Sequence, residues 1–292
     1  MERFPTEIMV QIANCLSKSD LSQFGTCSSK CAVIAQPLLY HTITLLDIND
    51  SSDRCSRFLR NVTSRPHLPP MVRVLCVVGH HKWPELSLAA LLRYCDHIEE
   101  LLLQGISVTR TYGSYRSSYP AILSSTPVGR LRKFHCREHT AIPDLIQWVT
   151  SIPTITDVRL PEPGYFNIAH VMEDPVLPPT WLKNLVRYRG PPGPLGGLTS
   201  GCKLLHFSTC LEMFDLQLRL RQLATVCGHQ LQTLHYLYGN VKHAWETNQS
   251  QKLPTSLLPQ LFPNLRSVAW ILVNPLDRDE VRTIFIDPPN LL

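Results

Sequence analysis

The six residues Leu231-Gln-Thr-Leu-His-Tyr236 (LQTLHY) carry apolar side chains at their first, fourth and sixth positions, and the fold turns on what that spacing means. In a strand, alternate side chains leave on opposite faces, so the fourth and sixth positions share one face while the third and fifth share the other. The frame recurs eight more times: VRVLCV from Val72, IEELLL from Ile98, LRKFHC from Leu131, ITDVRL from Ile155, LKNLVR from Leu182, CKLLHF from Cys202, LRSVAW from Leu265 and VRTIFI from Val281. In LKNLVR, Arg187 spoils the last position. Start-to-start separations of 26, 33, 24, 27, 20, 29, 34 and 16 residues hold no fixed period, which marks a degenerate repeat. Helix-like stretches lie between several frames: PELSLAALLRYC from Pro84, IPDLIQWVTSI from Ile142, and Leu211 to His229. A strand followed by a helix, repeated, stacks into an α/β solenoid with a curved parallel sheet on the inside.

The repeat domain is expected over residues 71–292. Residues 48–70 read as a linker with a first helix or turn, closed by Pro66-His67-Leu68-Pro69-Pro70. GPPGPLGG at 190–197 reads as a connection between repeats, and the last strand is expected to stand at an edge.

Ahead of the linker, Ile8, Ile12, Cys15 and Leu16 fall on one helical face, with Pro5 tolerated in the first turn. Ser19 is placed to cap a second short helix holding Leu21 and Phe24, with Asp20 at the positive end of its dipole. A third helix is expected after Ser28 and Ser29, ending before Pro37. Three helices in so few residues leave much apolar area wet, so the module needs something to lean on.

Composition bounds the rest. The 292 residues are 44% apolar and 17% charged, an ordinary globular balance. A net charge of +5 suits a locally basic surface better than a nucleic-acid binder saturated with Lys and Arg. Ten scattered cysteines show no disulfide framework and read as reduced. No basic stretch followed by an apolar leader opens the chain, and no run of 18 apolar residues occurs. The expected location is intracellular, in the cytoplasm, the nucleus or both. The sequons at Asn61 and Asn248 would then stay unmodified.

Residues 1–47 resemble an F-box. The resemblance rests on the opening Phe4-Pro5-x-Glu7-Ile8, the apolar helix ending at Leu16, Asp20-Leu21, the Cys27-Ser28 turn, Ile34-Ala35, Pro37 to Tyr40, and Thr42-Ile43-Thr44-Leu45. Phe4 stands where Leu is usual before the proline, and Cys31 where an aromatic is common. The likeness implies docking on a Skp-family adaptor, and through it on a cullin-RING ubiquitin ligase, by Phe4, Pro5, Ile8, Asp20 and Leu21. It implies internal packing for Ile12, Leu16 and Ile34. The later frames resemble irregular leucine-rich repeats, without the asparagine that usually follows the strand.

If the frame holds, its fifth positions are Cys76, Leu102, His135, Arg159, Val186, His206, His235, Ala269 and Phe285. His206 and His235 become neighbours, with Lys133, His135, Arg137 and Arg159 as a cationic patch. Residues 105–140 hold six basic groups and one acidic, beside Tyr112, Tyr115 and Tyr119. Arginine pairs bidentately with carboxylate or phosphate, so such a surface suits an acidic or phosphorylated peptide; a solvated repeat face is the plainer reading.

Cys27-x-x-x-Cys31, Cys202-x-x-x-His206-x-x-x-Cys210 and His135-Cys136-x-x-His139 lack the doubled CxxC of a closed zinc site. GGLTSGCK lacks the Lys-Ser/Thr ending of a phosphate loop, and no GxSxG, HExxH or GxGxxG after a strand is present. The expectation is a non-catalytic substrate receptor with no cofactor and no metal. Its rivals are a non-degradative scaffold on the same adaptor, a repeat protein binding nucleic acid through 105–140, and a hydrolase without a recognisable motif.

Overall fold

The computed structural model describes residues 4–47, 52–79, 85–104, 110–111, 114–115, 119–136, 142–160, 183–190, 203–210, 216–238, 257–273 and 281–286. They form two compact units, Met1–Leu131 and Arg132–Leu292.

The first unit begins with α1 (Thr6–Cys15), α2 (Lys18–Thr26) and α3 (Ser29–His41). Ser17, and not Ser19, caps α2: its Oγ accepts from the Asp20 N–H at 3.2 Å and donates to Asp20 Oδ2 at 2.7 Å. Ser28 Oγ accepts from the Cys31 N–H at 3.1 Å and starts α3. That helix runs through Pro37 instead of stopping before it. An internal proline costs about 3 kcal/mol. Beyond it, however, Leu38 and Leu39 pack against the module core of Ala13, Leu21 and Ala35, and a fully buried leucine is worth about 1.5–3 kcal/mol. Packing of these two partly buried leucines offsets part of that cost.

The unit continues as β1 (Thr42–Asp47), α4 (Ser52–Ser64), a 3-10 turn at Pro69–Met71, β2 (Val74–Gly79), α5 (Glu85–Tyr94) and β3 (Glu100–Gln104). A two-stranded hairpin, β4 (Arg110–Thr111) with β5 (Ser114–Tyr115), precedes α6 (Tyr119–Ser125). β1, β2 and β3 pair in parallel in chain order, Thr42 beside Val74 beside Glu100. The stretch from Thr42 is thus a strand one repeat earlier than the first expected frame.

The second unit holds β6 (Lys133–Cys136), α7 (Ile142–Thr150), β7 (Asp157–Arg159), β8 (Arg187–Gly190), β9 (His206–Cys210), α8 (Leu216–Cys227), β10 (Thr233–Tyr238), α9 (Leu258–Leu261), β11 (Ser267–Val273) and β12 (Val281–Ile286). β6 to β11 pair in parallel in chain order. β12 is the exception to the all-parallel expectation: it runs antiparallel to β11, Trp270 beside Ile284. Residues 274–280 are too few for a parallel crossover, which takes a dozen or more, so the chain can only turn back.

Six junctions between parallel repeats share one backbone device. The carbonyl of a frame's second residue accepts two N–H groups of the next frame, one on each lone pair. Arg73 O takes Glu99 and Glu100; Arg132 O takes Thr156 and Asp157; Thr156 O takes Val186 and Arg187. Val186 O takes Leu205 and His206, Leu205 O takes Gln232 and Thr233, and Gln232 O takes Arg266 and Ser267.

The series fixes the true frames. Those expected from Leu182 and Cys202 open instead at Leu185 and Leu204. With that correction the first residue of each frame from Val72 to Leu265 is buried: Val72, Ile98, Leu131, Ile155, Leu185, Leu204, Leu231 and Leu265. So is every fourth: Leu75, Leu101, Phe134, Val158, Tyr188, Phe207, Leu234 and Val268. Intervening helices cover this face, as where Trp148 of α7 meets Phe134 edge-on at 4.9 Å.

A side-chain device accompanies the backbone one. Asn184, just before the Leu185 frame, donates to Pro153 O at 3.0 Å, and Asn264, just before Leu265, donates to His229 O at 2.5 Å. His97, just before Ile98, holds Nδ1 at 3.0 Å from Pro70 O, which requires the Nδ1–H tautomer. In all three the acceptor lies two residues before the preceding frame. This ladder sits at the turn ahead of the strand, the opposite end from the missing leucine-rich-repeat asparagine.

Candidate functional site

Two surfaces stand out, one on each unit. On the helical module, α1 buries only Met9 and Ala13. A helix that turns such a narrow stripe inward leaves its wider apolar stripe outside: Phe4 is 54% exposed, Ile8 42% and Ile12 43%, with Val10 and, on α3, Val33 also exposed. Cys15 is exposed as well. Of the four residues read onto one helical face, Ile8, Ile12 and Cys15 are thus exposed and Leu16 is partly buried.

Lys30 Nζ donates to Phe4 O at 3.3 Å and ties the start of the chain to α3. Of the residues assigned to docking, Phe4, Pro5, Ile8 and Asp20 are exposed, whereas Leu21 is 4% exposed and belongs to the module core. Ile12, assigned to internal packing, points out. Ile34 and Leu16 pack inward as expected.

On the second unit, the corrected frames bring two rows of side chains to the sheet face opposite the core. Third positions across β6 to β11 are Lys133, Asp157, Arg187, His206, Thr233 and Ser267. Fifth positions are His135, Arg159, Arg189, Ser208, His235 and Ala269. All but the buried Ala269 are at least partly exposed.

Sequence reasoning thus placed Lys133, His135, Arg159, His206 and His235 on one face. Arg137 lies outside the described residues, as does Tyr112. Arg187 and Arg189 were missed because the slipped frame put Val186 at the fifth position. The repeated Asn-Leu pair, Asn184-Leu185 and Asn264-Leu265, was the signal that could have set the register.

One carboxylate stands among these cations. Asp157 Oδ1 lies 3.3 Å from His135 Nε2, and Oδ2 lies 4.0 Å from Arg187 Nη1. Arg187 keeps 61% of its side chain exposed, so that pair is worth little energetically and leaves the guanidinium facing solvent. Burial, then the positive charge of Arg187, push His206 below the ordinary histidine range, with Asp157 acting the other way. Burial, then Arg189 and His206, push His235 down too. Both imidazoles are therefore harder to protonate in the free protein than an ordinary histidine.

Two thiols of the first unit are held protonated. Cys95 is pushed up to about 12 by burial and by Asp96, and burial raises Cys76; a thiol held protonated attacks poorly. Among the described residues, no three His, Cys, Asp or Glu side chains group as a metal site, and no helix is long and apolar enough to cross a membrane.

These features define an α/β protein of chain-ordered parallel repeats behind a three-helix module, with an outward apolar helix face on one unit and a cationic sheet face on the other. No protein-family model matches this chain, and no curated protein matches its sequence.

Proposed function

We propose that this protein is the substrate-recognition subunit of an SCF-type cullin-RING ubiquitin ligase. The helical module docks on a Skp-family adaptor through Phe4, Pro5 and Ile8, extended by Ile12 along the same face, and the sheet face of the second unit holds the target. The observation that carries this reading is the concentration of exposed large apolar side chains just ahead of α1, on α1 and on α3, where Phe4, Ile8, Val10, Ile12 and Val33 stand within 30 residues. A partner helix or groove that covers such a strip gains from a few central anchors. The mechanism is positional: one chain that grips both adaptor and target raises the effective concentration of the target lysine near the conjugating enzyme.

The test is capture of a purified Skp-family adaptor by the full chain. Ile8→Asp and Ile12→Asp change exposed positions, so they should abolish capture while leaving the far-UV circular dichroism intact. Capture undiminished in both variants would overturn the docking face. Leu21→Asp is the contrast: it should lose capture by unfolding the module, with loss of helical signal.

A further inference from the structure

We infer that the face of β7 to β10 takes an Asp/Glu-rich peptide segment, and that His206 and His235 take up protons as it docks. This rests on the reading of that face as the target-holding surface, and it is independent of what covers α1.

The molecule already displays the recognition chemistry. Asp157 is a carboxylate seated between an imidazole at 3.3 Å and a guanidinium at 4.0 Å. Arg187 retains donors facing solvent, and Arg189, two residues on, leaves β8 on the same face about 7 Å further along. His206 stands one strand away, beside Arg187. His235 stands on the next strand, beside Ser208 and two strands from Arg189. With strands about 4.8 Å apart, a carboxylate set between Arg187 and His206 reaches both, and a second near Arg189 reaches His235.

The groups facing the two imidazoles set the direction of proton movement. Facing His206 are Arg187, Asp157, Thr233 and His235; facing His235 are Arg189, His206, Ser208 and Ala269. In the free protein, burial and then arginine charge hold both rings below the ordinary histidine range. A docked carboxylate reverses the sign of the nearby field, so each ring gains a proton and then a charge-assisted hydrogen bond. Glutamate side chains stay ionised well below neutrality, at an ordinary pKa of about 4.3, so only the protein titrates across the window that matters.

Fluorescence anisotropy of the full chain with a short labelled Glu-rich peptide tests this. Binding should tighten about tenfold between about pH 7.5 and about pH 6, the histidine range. The doubly substituted Arg187→Gln/Arg189→Gln protein should lose binding at both values. His206→Gln/His235→Gln should bind more weakly than the native chain at the lower pH and show no tightening between the two values. Asp157→Asn should bind more tightly at both, because Arg187 no longer answers an internal carboxylate.

No peptide binding, or binding indifferent to pH, overturns the inference. So does binding confined to a phosphoserine peptide of the same length, or tighter binding of a single-stranded oligonucleotide of matched charge. A chain that captures the adaptor but ignores the acidic peptide loses this inference and keeps the function proposed above.

Discussion

The outward sheet faces of the two units follow one frame and carry opposite chemistry. In the first unit the third and fifth positions of β2 and β3 are Val74, Cys76, Glu100 and Leu102, with Val78 and Gln104 at the next positions and Thr44 and Leu46 on β1. In the second unit the corresponding rows hold Lys133, Arg159, Arg187, Arg189 and three histidines. The buried positions, by contrast, are interchangeable in kind: Leu75 and Leu101 in one unit, Phe134 and Val158 in the other. First and fourth positions therefore carry the fold, and third and fifth positions are free to carry a site.

The largest expected effect tests that division directly. Phe207 is buried at a fourth position and stacks on Tyr188 with ring centroids 5.6 Å apart. Phe207→Ala should cost about 3–5 kcal/mol, read as a lowered urea midpoint. Arg187→Ala, one strand away on the opposite face, should stay within about 0.5 kcal/mol. Equal losses in the two variants would erase the distinction between frame and face.

A smaller effect is expected where the frame departs from its own rule. The sixth position of β8 is Gly190, and a methyl group there would sit 2.8 Å from the Tyr188 hydroxyl and 3.0 Å from Leu160 Cβ. The bulk of Tyr188 occupies the room that a sixth-position side chain would fill. Gly190→Ala should therefore destabilise by about 1–3 kcal/mol through overpacking, and pairing it with Tyr188→Phe, which removes the nearest atom, should recover part of that loss. A neutral Gly190→Ala would mean that the two positions do not share one space.

The same two positions explain how much of the fold the sequence disclosed. Where the buried letters are plainly apolar, as in Leu131-Phe134-Cys136 or Leu231-Leu234, periodicity alone finds the strand and its register. In the third and fourth repeats of the second unit the buried letters are Tyr188 and Gly190, then Phe207 and Thr209, and Leu182 and Cys202 offered a false start a few residues early. The slip moved His206 from one row to the other and hid two arginines, which is why the candidate site was only half legible.

On α1 the difficulty was different. A helical period marks an apolar stripe without saying whether the chain itself or another molecule covers it, and the small inward Ala13 scores poorly against Ile8 and Ile12. Pro37 misled for a third reason, since local propensity gave way to the packing of Leu38 and Leu39.

Next in size are the turn ladders that join repeats. Asn264→Ala removes the donor to His229 O and should cost about 1 kcal/mol. His97→Ala removes the matching contact to Pro70 O in the first unit and should cost about the same. Matching losses, measured by urea denaturation of each variant, would show that the two units share this device although their outward faces differ. A loss in one and none in the other would confine it to a single unit.

The smallest effect separates the two outward faces by pH. His206 and His235 are held below the ordinary histidine range in the folded chain, so below about pH 6.5 the unfolded chain binds more protons at these two sites than the folded one. Their contribution to stability is therefore complete above that pH and is lost as the pH falls through the histidine range. No histidine stands on the described sheet face of the first unit. The denaturation midpoint of the native chain should accordingly fall between about pH 7.5 and about pH 5.5 by more than that of His206→Gln/His235→Gln, the other histidines being common to both. Identical falls would mean that the two rings titrate alike in the folded and unfolded chains, and that pH draws no distinction between the two faces.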